Sequence, residues 1–147
     1  MGSRHKGREY ALQMLYQSET SGAPIAEIAP QFWADREVPE DVRAFAERLA
    51  RGTSAGLGGI DALLTRNLDN WRLERLAIVD RNVLRLAVYE FLHEPETPRV
   101  VVIDEAIEVA KRFGGEDSGQ FVNGILDALR KRLEEERAEA ADPITLL

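Results

Sequence analysis

The sequence contains no cysteine, which removes disulfides, zinc–thiolate sites, iron–sulfur clusters and cysteine nucleophiles together and suits a reducing compartment. Histidine occurs only at His5 and His93, so no pair stands one helical turn apart as metal ligands do. The longest purely aliphatic run, Val100-Val101-Val102-Ile103, falls far short of the roughly 20 residues that a membrane-spanning helix needs. A soluble, cytoplasmic protein with no membrane partner is expected. Gly58-Gly59 has no basic residue beside it to make a phosphate cradle, and no dinucleotide fingerprint occurs. The basic N-terminus has no apolar stretch behind it and does not read as a secretory signal. With no cofactor, metal or catalytic residue to nominate, a non-enzymatic protein is expected. The one acidic loop, Glu116-Asp117, reads as a solvated helix cap rather than an acid–base pair.

What the chain does contain is helical patterning over a length that suits one compact domain. A chain of 147 residues can bury roughly 68–70% of its unfolded surface. Its net charge of −7, from 19 Lys and Arg against 26 Asp and Glu, repels nucleic acid as a whole. The charge is unevenly placed. Residues 1–8 carry Arg4, Lys6 and Arg8 and no acid, whereas residues 134–147 carry Glu134, Glu135, Glu136, Glu139 and Asp142 against Arg137. A basic head and an acidic tail are therefore separable features.

Apolar residues recur at helical spacing nearly throughout. A first helix is predicted from near Arg8, ended by Gly22 and Pro24, and a short second one from Ile25 to Asp35 with Pro30 as its weak point. Pro39, Glu40 and Asp41 suit the first turn of a third helix, which Gly56 to Gly59 either kinks or divides. Asp80 reads as the N-cap of a helix through Phe91, after a short turn at Leu73 to Leu76. Val100 to Ile103 reads as the first turn of a helix ending at Gly114, because a lone strand has no partner. Asp117 with Gln120 resembles a capping box for the last helix, which is expected to fray after Glu136. The expected fold is all-α: one domain over 1–136, dividing into parts of about 4–70 and 71–136, with a frayed acidic tail at 137–147.

On a helix, Arg4 and Arg8 lie one turn apart, which suits neighbouring phosphates of a nucleic-acid backbone. Aromatics that could stack on unpaired bases are Tyr10, Tyr16, Phe113 and Phe121. Each also suits core packing, Phe121 most of all from its place in an apolar stripe. Tyr16 is the balanced case, since its hydroxyl must reach solvent or a partner.

Five blocks carry a family resemblance. Arg8-Glu9-Tyr10-Ala11-Leu12-Gln13-Met14-Leu15-Tyr16, Val79 to Glu90, Ile103-Asp104-Glu105-Ala106-Ile107-Glu108, Ala110-Lys111-Arg112-Phe113-Gly114 and Phe121-Val122-Asn123-Gly124-Ile125-Leu126-Asp127 together resemble the bacterial antitermination factor family NusB. The resemblance runs in order from about Arg4 to Leu133. It implies two three-helix sub-bundles, no enzymatic activity, and binding of boxA RNA from ribosomal RNA operons. It also implies pairing with the small-subunit ribosomal protein that doubles as NusE, and service in an RNA polymerase antitermination complex. Homodimers occur in such a family. The same fold also forms an N-terminal domain of some ribosomal RNA methyltransferases, and the end of this chain at Leu147 favours the stand-alone factor.

Carried over by position, the implied RNA contacts are Arg4, Lys6, Arg8, Tyr16, Phe113, Asp117, Ser118, Phe121 and Asn123. Because the ribosomal partner is basic, Glu74, Asp80 and Glu90 are the expected protein contacts. The basic run before Glu9 is thinner than is usual in the family. At roughly 0.7 units of salt slope per phosphate neutralised on a single strand, weak binding by the chain alone is expected. The rival reading is a helical protein-interaction or self-association module.

Overall fold

The computed structural model describes residues 2–141, which form seven α-helices and a short 3-10 turn. The helices are α1 (Ser3–Ser21), α2 (Ile25–Ala34), α3 (Glu40–Ala55), α4 (Leu57–Arg66), α5 (Ile78–His93), α6 (Arg99–Phe113) and α7 (Ser118–Ala141). The 3-10 turn, Leu73–Arg75, precedes α5. The all-α expectation holds, and no helix among the described residues is long and apolar enough to cross a membrane.

Most helix ends follow local chemistry. Gly22 adopts a left-handed conformation, φ 79°, and its N–H closes α1 on the Ser18 carbonyl at 2.9 Å. Pro39 and Pro98 stand just before α3 and α6, where a missing N–H leaves nothing unpaired. Val100 to Ile103 is helical, as expected for the start of α6.

Four ends differ from expectation. α1 starts at Ser3 rather than near Arg8, because its first turns are anchored by charged side chains that an apolar period does not register. The break between α3 and α4 falls at Gly56, and Gly58 and Gly59 lie inside α4 instead of forming the kink. Asp80 sits in the first turn of α5, which begins after Ala77, so its charge suits that end of the helix but it does not cap it. α7 continues as regular helix to Ala141 instead of fraying after Glu136, supported by pairs such as Arg130–Glu134 and by strong helix formers such as Ala138 and Ala140. Residues 142–147 of the acidic tail lie outside the described residues.

The buried apolar side chains form two clusters. Ala11, Met14 and Leu15 of α1 pack with Phe32 and Trp33 of α2, Phe45 and Leu49 of α3, and Leu86 of α5. A second cluster joins Ile60 and Leu64 of α4, Leu84 and Val88 of α5, Val102 and Val109 of α6, and Val122, Leu126 and Leu129 of α7. Ile60, Leu64 and Leu68 precede the division expected near residue 70 yet belong to this second cluster. The turn at Gly56 is what redirects them. α5 thus contributes to both clusters, and α1 joins the second through Leu12.

Charged groups reinforce that junction. Glu19 of α1 accepts hydrogen bonds from Arg81 and, at 2.8 Å, from Arg85, while Arg85 also holds Asp61 of α4 at 2.8 Å. Burial alone would raise the pKa of Glu19, but Arg81, Arg85 and Asn82 together hold it below the ordinary carboxylate value. Its contribution to stability is therefore present above that ordinary value and is lost on acidification through the lowered one.

Candidate functional site

The basic head lies in the first two turns of α1, beside the C-terminal half of α6. Arg4 is exposed, its guanidinium 4.1 Å above the Phe45 ring of α3. Lys6 is exposed as well, with 53% of its side chain accessible. Arg8 is not: it is 5% exposed and grips Glu90 of α5, itself 2% exposed, through Nε–Oε2 at 2.9 Å and Nη2–Oε1 at 2.7 Å. This corrects two expectations at once, since the expected phosphate contact and the expected partner contact satisfy each other inside the fold. Helical spacing did place Arg4 and Arg8 on one face, and both lie over the Phe45 ring, but only Arg4 is exposed there.

Glu9 is also buried and gathers side chains from two helices. Its carboxylate accepts from His5 at 3.1 Å, from Lys6 at 3.5 Å and from Arg112 of α6 at 2.7 Å. His5 meets Glu105 of α6 through its other ring nitrogen at 2.6 Å. Arg112 went unremarked as a site residue, although it lies inside a family-like block. Two cations in the last turn of α6, Lys111 and Arg112, were its available signal, because cations suit a helix C-terminus. Further along α1, seven residues from Glu9 on the same face, Tyr16 stands 43% exposed.

The α6–α7 loop makes the second part of the site. Gly114 closes α6, and Ser118 fastens the loop by accepting the Gly115 N–H on its buried hydroxyl at 2.9 Å. Glu116 and Asp117 are exposed, and the Asp117 carbonyl accepts the Phe121 N–H at 3.0 Å as α7 begins. Ser118 thus makes the side-chain fastening in this loop, where a capping box from Asp117 and Gln120 was expected. A Cβ on Gly114 would stand 2.5 Å from the Ser118 hydroxyl and 2.8 Å from the Ala110 carbonyl. Gly114→Ala is therefore expected to push Ser118 off the Gly115 amide and cost about 1–3 kcal/mol, read as a lowered urea midpoint. An unchanged midpoint would mean the loop has slack that its contacts do not suggest.

Phe113 and Phe121 are half-buried and Asn123 is exposed. Phe121 meets Trp71 edge to face, ring centroids 5.1 Å apart. Trp71 is 56% exposed and was read only as the end of a segment; a large aromatic in a polar stretch was the missed signal. Together Trp71, Arg75, Asp80, Asp117 and Phe121 line a cleft of about 590 Å³. Asp80 was expected to join Glu74 and Glu90 as a protein contact, yet it stands in this cleft with one carboxylate oxygen buried and unpartnered among the described residues. Glu74, exposed, faces a different cleft of about 600 Å³ beside Glu19 and Arg85. Among the described residues no group of acids and histidines is gathered to hold a metal ion.

Residues 5–131 match the model of the NusB family. The chain belongs to the NusB family. A transcription antitermination protein NusB from Sorangium cellulosum is 47% identical over 135 residues, covering 90% of this chain and 95% of the relative. A second such protein, from Koribacter versatilis, is 43% identical and covers 92% and 94%. Among solved structures, NusB of T. maritima is 44% identical with a TM-score of 0.80, covering 87% of this chain and 90% of that one. The structure of antitermination factors NusB and NusE in complex with double-stranded RNA contains a chain 26% identical, with a TM-score of 0.81 and coverage of 90% and 98%. The NusB-family blocks read from the sequence include α1 from Arg8 to Tyr16 and flank the α6–α7 loop described above on both sides.

Proposed function

We propose that this NusB-family chain is a non-catalytic RNA-binding transcription antitermination factor of the cytoplasm. It binds boxA-type RNA of ribosomal RNA operons together with the small-subunit ribosomal protein that acts as NusE, and so enters an RNA polymerase antitermination complex. The observation that carries the reading is the aromatic cleft of Trp71 and Phe121, open beside exposed polar groups of the α6–α7 loop. Aromatic faces hold unpaired bases by stacking, worth about 1–3 kcal/mol per base. Lys6 and Arg4 supply positive charge at the other end of the surface, Tyr16 a further ring, and Asp117 and Asn123 polar groups for base edges.

The overall charge of −7 opposes RNA, so a basic partner is expected to contribute much of the affinity. Fluorescence anisotropy of a labelled boxA-type RNA against a scrambled control, with and without the ribosomal partner at two salt concentrations, checks this. Selective binding that tightens with the partner is the expected result. Equal weak binding of both RNAs, unchanged by the partner, would overturn it. That outcome would favour a self-association or protein-interaction module, a reading that draws on the exposed Leu92, Val100 and Val101. Sedimentation of the chain alone would then be expected to show a homodimer.

A further inference from the structure

Charges where α1 meets α6 are sorted by depth. Glu9 with 4% and Glu90 of α5 with 2% of the side chain accessible lie inside, Glu90 paired with the likewise buried Arg8, Glu105 of α6 is intermediate at 19%, and the cations Lys6 and Arg112 lie outside at 53% and 57%. The group as a whole is close to neutral, yet the surface it presents to solvent is positive. Lys6 Nζ and Arg112 Nη1 both donate to the same oxygen, Oε1 of Glu9, so their charged ends stand side by side. Arg112 spends one nitrogen on Glu9, and its Nε and Nη2 make no hydrogen bond among the described residues. Its guanidinium also lies 5.2 Å from the Phe113 ring centroid, which limits the directions the fork can take.

We infer that Arg112 is a phosphate-binding residue of the RNA surface and that buried Glu9 is the positioning residue that aims it. The planar fork of arginine, held on one side by a carboxylate, offers its remaining donors to a second oxyanion in a fixed direction. Arg112 with Lys6 thereby takes the role that the buried Arg8 does not fill. The inference rests on the RNA-binding reading above and adds to it a residue and a means of holding that residue.

The test uses the full chain with a labelled single-stranded boxA-type RNA, titrated by anisotropy across a series of salt concentrations. Arg112→Gln keeps a donor for Glu9 and removes the charge, so the fold is retained, as a melting curve checks. The expected result is weaker binding and a salt slope smaller by about 0.7, the loss of one phosphate contact on a single strand. Arg112→Lys is expected to keep the slope. Glu9→Gln is expected to weaken binding in the parent chain and to add no loss to the double variant Lys6→Gln with Arg112→Gln, since a positioning residue acts only through the groups it positions. If the parent chain binds and Arg112→Gln leaves affinity and slope unchanged, the inference falls alone. A further loss from Glu9→Gln in that double variant would overturn the positioning role. If the parent chain binds no RNA even with the ribosomal partner present, the functional reading falls and takes the inference with it.

Discussion

Arg8→Ala is expected to destabilise the fold by about 3–5 kcal/mol, because it leaves the Glu90 carboxylate buried without its cation. Burial pushes the pKa of Glu90 up and Arg8 pulls it back only in part, so the folded value lies above the ordinary carboxylate value. A raised folded value means the native state binds more protons than the unfolded chain between the two values. Stability therefore falls as pH rises through that window and recovers as pH drops. Without Arg8 the window widens upward, so the variant is expected to regain part of its loss on mild acidification, more than the parent does. Urea denaturation at neutral and mildly acidic pH measures both effects. A midpoint shift no larger than that of Arg132→Ala, an exposed control, would contradict the buried pair. The double variant Arg8→Met with Glu90→Leu is expected to recover most of the stability, since an apolar pair of similar size removes both desolvated charges. Its RNA salt slope should match the parent's, because Arg8 does not reach the surface.

The same pair shows where reading from the sequence reached its limit. The helices announced themselves because their apolar residues recur at a period that burial enforces, and Gly22, Pro39 and Gly114 mark ends for steric reasons a single residue carries. Arg8 and Glu90 lie 82 positions apart, and no local pattern distinguishes a solvated arginine from one that folds onto a distant carboxylate. The beginning of α1 was missed for that reason: its first turns are held by charge on α5 and α6 and by the face of Phe45. Asp80 and Trp71 were each visible, but their convergence with Asp117 and Phe121 on one cleft depends on how α5 and α7 pack. Family-like blocks pointed to the α6–α7 loop, while the depth of each charge, which decides what RNA can touch, emerged only from the packing.

Leu84→Ala should lower stability by about 2–5 kcal/mol and should do so everywhere in the molecule at once. Leu84 is fully buried on α5 among α4, α6 and α7, whereas Leu86 of the same helix packs with α1, α2 and α3. Truncating Leu84 removes buried methyl groups and leaves a cavity that close-packed neighbours fill only in part. Since α5 carries side chains into both clusters, neither cluster keeps its wall when α5 loosens, and a single cooperative transition follows. The two tryptophans make this measurable: Trp33 is buried in the first cluster, and Trp71 stands against Phe121 of α7. With fluorotryptophan incorporated, each gives its own fluorine resonance, and Trp71→Phe assigns them. Both resonances are expected to report the same urea midpoint in the parent and the same lower midpoint in Leu84→Ala. A Trp33 transition that stays in place while that of Trp71 moves would mean the clusters unfold separately. The Arg8–Glu90 and Glu19–Arg85 ties between α1 and α5 would then be too weak to make one domain of them.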